Sequence, residues 1–310
     1  MEPNYPKRVH LAHLPTPVES LTRLSKHLGG PELYIKRDDQ TGLATGGNKT
    51  RKLEFLIAEA LAQGADHVIT SGAPQSNHCR QTAAAAARSG LGCTLILRGQ
   101  EPDQVTGNFL LDELLGAHVN WTGDREAKEV IQEVEDQLEA MGRKPYIVPY
   151  GGSNVVGATG YVLAMQELMA QLAEKELNID FIVFASSSGG TQAGLVLGAQ
   201  VYDYRGSILG ISVDHPADTI KTQVGALATA TATHLESRSL LGRLPTSASA
   251  RRPSPGHGRP RGPRPLARSL RDSTGHRALL RAQGAQRRAL VQVRVLLCSI
   301  PLDNPLVPQL

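Results

Sequence analysis

Short apolar runs alternate with longer helix-like segments along most of the 310-residue chain, and this alternation limits the possible folds more than any other feature. The runs are LYIK at 33–36, DHVIT at 66–70, CTLIL at 93–97, PYIV at 145–148, DFIVF at 180–184 and SILGISV at 207–213. Segments 49–63 and 124–141 place apolar residues at three- and four-residue steps, which predicts amphipathic helices. Because repeated strand–helix–strand units build parallel sheets covered on both faces, we expect an α/β fold.

The composition changes abruptly near residue 238. All twelve aromatic residues lie at or before Tyr204, and residues 238–310 contain fourteen Arg, no Lys and two acids. Their Pro, Gly and Ser content leaves too little apolar surface to offset the entropy of ordering, so we expect a disordered or aberrant tail. Three interpretations stay open: translation out of frame, which the surge of Arg, Pro, Ala and Gly favours, a basic nucleic-acid-binding arm, and a segment without a selected role.

The rest of the composition favours a small-molecule partner. Residues 1–237 carry a net charge of −8, which gives no reason to expect binding to nucleic acid or to an anionic membrane. No run is long enough for a membrane span and the start lacks the apolar core of a secretory signal. The three cysteines share no CxxC spacing, so we expect no disulfide framework and no metal site, and a reducing cytoplasm fits best.

A lysine stands at the start of a predicted helix. The sequence TGGNKTRKL at 45–53 follows the LYIK strand and opens the helix with Lys49. The positive end of the helix and the neighbouring cations Arg51 and Lys52 favour a lowered pKa for the Lys49 amine, which makes it a candidate for Schiff-base chemistry. An equally good interpretation of this motif alone is a glycine turn followed by a solvated helix start.

Three further polar or glycine-rich loops follow predicted strands. Residues 70–81 (TSGAPQSNHCRQ) precede an alanine-rich helix, where Ser76 or Asn77 could also serve only as a helix cap. Residues 185–195 (ASSSGGTQAGL) match neither dinucleotide nor Walker motifs and favour a single phosphate held by amides and hydroxyls. Residues 149–161 repeat the arrangement and could line the same cleft. An amine, an anion-facing loop and a phosphate loop are together the parts that a pyridoxal 5'-phosphate (PLP) enzyme needs.

Residues 9–228 resemble the D-cysteine desulfhydrase and 1-aminocyclopropane-1-carboxylate deaminase family, which has the tryptophan synthase β-like fold (PLP fold type II). The motifs that carry the resemblance are LAHLPTPVESL, YIKRDDQTGLATGGNKTRKLEFL, TSGAPQSNHCRQTAAAAARSG, VPYGGSNVVGATGY and SSSGGTQAGL, in this order. The resemblance implies two parallel-sheet domains with the cofactor between them. The larger, incomplete domain would comprise 1–55 plus 150–237, and the smaller one 56–149.

The resemblance also implies roles for individual residues in holding the cofactor. Lys49 would form the Schiff base with PLP and Asn77 would hydrogen-bond the ring hydroxyl, with Lys52 as a possible phosphate ligand. The expected phosphate loop consists of Gly189, Gly190 and Thr191.

Substrate binding is assigned by the same resemblance to the loop around residue 76. Ser76 and neighbouring amides would take the substrate carboxylate, and Gln75 and His78 complete the expected contacts, with His78 resembling the desulfhydrase branch. Lys49, Ser76 and Asn77 would be the catalytic residues. The implied reaction is β-elimination from D-cysteine or a similar small amino acid, giving pyruvate, ammonia and sulfide.

Three alternatives remain at this point. The substrate could instead be 1-aminocyclopropane-1-carboxylate or a sulfo-amino acid. The chain could also be a truncated, inactive PLP-binding fragment, because PVYTG-like and HTGG-like segments of the family are missing from residues 238–310. A nucleic-acid-binding tail is the third alternative. The resemblance further suggests a homodimer.

Overall fold

The computed structural model describes residues 3–235 and 293–298. Its strands are β1 Val18–Ser20, β2 Glu32–Lys36, β3 His67–Gly72, β4 Gly92–Leu97, β5 His118–Trp121, β6 Pro145–Ile147, β7 Phe181–Ser186, β8 Ser207–Ser212 and β9 Arg294–Cys298. Its helices are α1 Thr22–Leu28, α2 Thr50–Ala62, α3 Asn77–Arg88, α4 Gly107–Leu114, α5 Ala127–Ala140, α6 Val155–Glu174, α7 Gly190–Val201 and α8 Ala217–His234. All six predicted strands and both predicted amphipathic helices are present, as β2, β3, β4, β6, β7, β8, α2 and α5.

The smaller sheet has four parallel strands in the order β5-β4-β3-β6. Its two central strands are almost fully buried, as expected for strands covered on both faces. Helices α2 and α3 pack against it in one core cluster, and α5 covers Ile69 and Ile96 on the other face. All four strands lie within 56–149, the segment predicted to be the smaller domain; its boundaries remain a prediction.

The larger sheet has five strands in the order β1-β2-β9-β7-β8. Only the β1–β2 pair is antiparallel, and β9 pairs in parallel with both β2 and β7. Helix α6 packs on this sheet through a core that includes Met165, Ile182 and the fully buried Leu296. The fold is therefore α/β with two mainly parallel sheets, as predicted.

Strand β9 differs from the expectation of a tail without regular structure. Residues 294–298 read RVLLC, an apolar run that the larger sheet buries between two neighbours, whereas the average composition of 238–310 is dominated by Arg, Pro and Gly. The expectation of disorder is therefore corrected for these five residues, because strand formation depends on the local run rather than on the composition of the whole segment. The rest of the predicted tail, 238–292 and 299–310, lies outside the described residues.

Helices α2 and α6 approach each other closely beside the two sheets. A Cβ atom at Gly160 would lie 2.2 Å from the Arg51 carbonyl oxygen, so only glycine permits this approach. The contact brings the start of α2, with Lys49 directly before it, next to the loop that precedes α6. Helices α3 and α7 begin after the carboxyl ends of β3 and β7, where ligands gather in parallel sheets. Within the part of the chain that the structure describes, no helix combines the length and apolar character needed to cross a bilayer.

Candidate active site

Lys49 lies at the end of a loop with an unusual backbone. Four consecutive residues have positive φ angles: Ala44 at 41°, Thr45 at 70°, Gly46 at 78° and Gly47 at 134°. A Cβ atom at Gly46 would lie 1.9 Å from the Asp39 carbonyl oxygen, so the glycine is required there. The predicted glycine turn before the lysine is therefore a tightly constrained left-handed loop.

Asn48 connects the lysine to α3. Lys49 Nζ donates to Asn48 Oδ1 at 3.4 Å, and Asn77 Nδ2 donates to the same oxygen at 3.2 Å. The structure therefore brings Lys49 and Asn77 together, which are 28 positions apart in the sequence. Asn48 was not singled out from the sequence, because its role depends on where α3 lies.

The predicted phosphate loop lies against the loop that precedes α6. Gly189 has φ 78° and precedes α7, and the Gly190 backbone N–H donates to Ser153 Oγ at 3.2 Å. Ser153 Oγ also lies 2.7 Å from Ser188 Oγ. Hydroxyl groups and helix-initiating amides thus converge at one place, and the 149–161 loop lines it, which the sequence suggested only as a possibility.

Lys52 joins this loop to the helix of Lys49. Its Nζ donates to the Gly151 carbonyl oxygen at 3.0 Å and to Ser153 Oγ at 3.4 Å. Burial lowers the pKa of Lys52 well below its ordinary value, and the charge of Lys49 lowers it further. Both oxygens that the amine contacts are uncharged, so a phosphate dianion nearby would favour the protonated form.

These residues fit a phosphate-bearing aldehyde. A Cβ atom at Gly190 would lie 2.4 Å from Ser153 Oγ, and one at Gly151 would lie 2.4 Å from Ser188 Oγ, so both glycines keep the backbone close to the serines. The start of α7 presents backbone N–H groups and the positive end of a twelve-residue helix. The primary amine of Lys49, one turn before Lys52, supplies the nucleophile that an aldehyde requires.

Ser76 caps α3, which was one of the two roles that the sequence suggested for it. Its Oγ accepts from the Cys79 backbone N–H at 3.3 Å, and the side chain is only half-buried. The cap uses the oxygen as an acceptor and leaves the hydroxyl proton available as a donor. Ser76 can therefore cap the helix and still donate to a substrate carboxylate.

Gln75 and His78, the predicted substrate contacts, are hydrogen-bonded to other parts of the protein. Both ends of the Gln75 amide are engaged, because Nε2 donates to the Thr106 carbonyl oxygen at 3.0 Å and Oε1 accepts from the Asn108 N–H at 2.9 Å. His78 is buried, and its Nε2 lies 2.9 Å from Thr70 Oγ1. These contacts hold both side chains in place, and their contacts with a substrate stay predictions.

His78 is also neutral in this environment. Burial lowers its pKa well below the usual value, and the charges of Lys49 and Lys52 act in the same direction. Because the Thr70 hydroxyl donates its proton to the Val148 carbonyl oxygen, the His78 Nε2 must be the donor to Thr70. The ring is therefore a fixed neutral tautomer beside the two lysines.

A buried ion cluster surrounds Arg51, two residues after Lys49, and was missed in the sequence. Arg51 donates to Asp38 at 2.9 and 3.0 Å and to Glu167 at 2.9 and 3.0 Å. Lys36 forms a second ion pair with Glu167, and the Tyr161 hydroxyl donates to Asp38 Oδ2 at 2.9 Å. Arg51, Lys36 and Asp38 are almost completely buried. The cluster ties α2 to β2 and α6 two residues beyond Lys49.

The fold has two mainly parallel sheets, and Lys52, one turn after Lys49, reaches the 189–191 loop through Ser153. These features are typical of enzymes that bind a cofactor through a lysine, and a solved structure supports this assignment. The structure superimposes on one described as an "ACC deaminase homologue" with a TM-score of 0.69 and 39% identity, covering 76% of this chain and 74% of the other.

Residues 9–257 match the model of the pyridoxal-phosphate dependent enzyme family, so the chain belongs to this family. PLP is accordingly its cofactor. A D-cysteine desulfhydrase of Klebsiella pneumoniae (strain 342) is 45% identical over 235 residues, which are 74% of this chain and 71% of that protein. A Pyrococcus abyssi protein with the provisional name 1-aminocyclopropane-1-carboxylate deaminase is 46% identical over 220 residues, 70% of this chain and 66% of that protein. The chain thus spans about two thirds of the length of these relatives.

Proposed function

We propose that the protein is a PLP-dependent lyase that eliminates the β-substituent of D-cysteine or a similar small amino acid, giving pyruvate, ammonia and sulfide. The observation that carries the proposal is the path from Lys52 Nζ through Ser153 Oγ to the Gly190 N–H, with steps of 3.4 and 3.2 Å. This path joins the helix of the nucleophilic lysine to an anion-binding loop. The similarity to named D-cysteine desulfhydrases supports the choice of substrate.

The cofactor would be held at both ends by this chain's residues. Lys49 Nζ would carry it covalently, and Asn77 would bind its ring hydroxyl. The Gly189, Gly190 and Thr191 backbone would bind its phosphate, with Lys52 as the cationic partner. When bound, PLP supplies a conjugated ring that stabilises negative charge at the substrate α-carbon.

The remaining chemistry falls to side chains around Lys49. Lys49 Nζ would accept the substrate α-proton, and Asn48 Oδ1 keeps this nitrogen on the side of α3. The Ser76 hydroxyl would donate to the substrate carboxylate, which the positive end of α3 also favours. His78 is buried and neutral, so it would position β3 and α3 rather than transfer a proton.

Two alternatives each rest on a specific observation. The 46% identity to the Pyrococcus protein supports deamination of 1-aminocyclopropane-1-carboxylate, which would give a four-carbon 2-oxo acid and ammonia. The absence of PVYTG-like and HTGG-like segments from the sequence supports a PLP-binding chain that does not turn over.

The test is to purify the full chain with PLP and to compare it with Lys49→Ala and with Lys26→Ala, an exposed control lysine. We expect a visible cofactor band that borohydride bleaches in the wild type and in the control, leaving the cofactor covalently attached to the denatured chain, and no such attachment in Lys49→Ala. Sulfide and pyruvate from D-cysteine would support the main proposal. A four-carbon 2-oxo acid from the cyclopropane substrate would favour the first alternative, and a bleachable band without any product would favour the second.

The homodimer, the cytoplasmic location and the division into 1–55 plus 150–237 and 56–149 are further parts of the proposal. The dimer is supported by the family resemblance, and the location by three cysteines without a disulfide spacing. Light scattering of the purified chain would give its mass and decide between one copy and two.

A further inference from the structure

Helix α3 contacts the Lys49 loop with three side chains. Asn77, Arg80 and Gln81 are three and four positions apart, so they lie on one face of the helix. Asn77 contacts Asn48, Arg80 contacts the carbonyls of Ala44 and Gly46, and Gln81 contacts Thr50. The helix that the proposed substrate residue Ser76 caps therefore also holds the backbone on both sides of Lys49.

Gln81 replaces the missing cap of α2. The helix begins after Lys49, whose side chain has no acceptor and makes no capping hydrogen bond. Gln81 Oε1 accepts from the Thr50 backbone N–H at 2.8 Å and from Thr50 Oγ1 at 2.8 Å. Its Nε2 donates to the Asn77 carbonyl oxygen at 2.9 Å, and the residue is fully buried. Both ends of the amide are fixed, so this cap is rigid.

Arg80 stabilises the left-handed part of the loop. Ala44 and Thr45 have positive φ angles, a backbone conformation that is strained for non-glycine residues. The Arg80 guanidinium donates to the carbonyl of Ala44 and, at 3.1 Å, to that of Gly46, while its Nε donates to Asn108 Oδ1 at 2.7 Å. One buried side chain thus connects the strained loop to the start of α4.

We propose that Gln81 and Arg80 are positioning residues that hold Lys49 in the geometry in which its amine reacts with the cofactor. The inference rests on the proposed role of Lys49 and extends it to two residues that hydrogen-bond the backbone on either side of this lysine. Because the same helix face carries Asn77, a displacement of α3 would move the lysine loop and the cofactor's ring partner together. Helix α3 thereby fixes the positions of both Lys49 and the loop that contains Ser76.

The test uses the full chain with Gln81→Met, which keeps the length of the side chain and removes both the acceptor for Thr50 and the donor to the Asn77 carbonyl oxygen. The matched control is Thr82→Val on the same helix, which removes the buried hydrogen bond from Thr82 Oγ1 to the His78 carbonyl oxygen but does not contact the loop. Two quantities are measured: the dissociation constant of PLP from borohydride trapping at Lys49, read by peptide mass spectrometry, and the thermal midpoint. Both variants should lower the midpoint, whereas only Gln81→Met should weaken PLP binding, by about tenfold.

Equal PLP binding by Gln81→Met and wild type would overturn the inference and leave the proposed function intact. If wild-type Lys49 is not trapped at all, the proposed function itself fails and this inference with it. Should Gln81→Met not fold, Thr50→Val decides, because it removes the hydroxyl contact to Gln81 and, besides it, the longer 3.2 Å contact from Thr41, whose hydroxyl still donates to the Gly47 carbonyl oxygen at 2.8 Å. It should weaken PLP binding about threefold, and unchanged binding would again overturn the inference.

Discussion

Removal of the charge on Glu167 should destabilise the protein strongly at neutral pH and hardly at all in acid. Glu167 accepts hydrogen bonds from Arg51 and Lys36 in the buried cluster. Burial alone would raise its pKa, but the hydrogen bonds and charges of the two cations outweigh burial and lower the pKa from 4.5 to about 2. The carboxylate form is therefore the one that the fold stabilises.

The size of the effect follows from this shift. At about 1.4 kcal/mol for each pKa unit, the difference between 4.5 and about 2 corresponds to about 3 kcal/mol. Because the folded-state pKa is lowered, this stability is fully present above pH 4.5 and is lost as the pH falls toward 2. Glu167→Gln should therefore cost about 3 kcal/mol at pH 6 and only about 1 kcal/mol at pH 3.

Urea unfolding of wild type and variant across this pH range measures the difference directly. The control is Glu133→Gln, since Glu133 pairs with Arg125 on the surface and both side chains are about half exposed. This control should cost less than about 1 kcal/mol at every pH. A Glu167→Gln difference that is the same at pH 6 and pH 3 would refute the reasoning, because the carboxylate would then contribute nothing through its charge.

Two other substitutions test the phosphate loop and the unexpected strand. Gly190→Ala should weaken PLP binding at least tenfold, because the new Cβ atom would lie 2.4 Å from Ser153 Oγ. The control Gly225→Ala in α8 places a Cβ atom with no other atom within 4 Å and should leave PLP binding unchanged. Absorbance titration with PLP compares the two variants. Leu296→Ala should lower the free energy of unfolding by about 2–5 kcal/mol because Leu296 is fully buried in β9, while Leu114→Ala, at a site 73% exposed, should cost under about 1 kcal/mol. Denaturant titration measures both, and equal costs would mean that β9 is not part of the sheet.

The elements with a strong local signal were predictable. The six apolar runs are strands because each is short, β-branched and followed by turn residues, and α5 follows its apolar stripe closely. Strands β1 and β5 are only three and four residues long, so no periodicity marks them. Strand β9 has a recognisable apolar run, but the Arg- and Pro-rich composition around it outweighed that signal.

The site was predictable in its chemistry and less so in its contacts. Lys49 and the 189–191 loop stand out because their residue types and positions after strands imply a chemical role. Ser153 and Gln81 act through neighbours that are distant in sequence, so only the packing of α2 against α3 and α6 gives them a role. Gln75, a predicted substrate contact, also anchors the start of α4, and no residue type in the 70–81 loop indicated that contact.

The central place of β9 has a consequence for biosynthesis. The strand lies between β2 and β7, and its ion pair from Arg294 to Glu32 spans 262 positions of sequence. During translation β2 leaves the ribosome long before its partner β9 exists, so the larger sheet cannot close until β9 has been synthesised. The four-stranded sheet, whose strands all lie between residues 67 and 147, can form first and offer a folded surface while the nascent chain is completed.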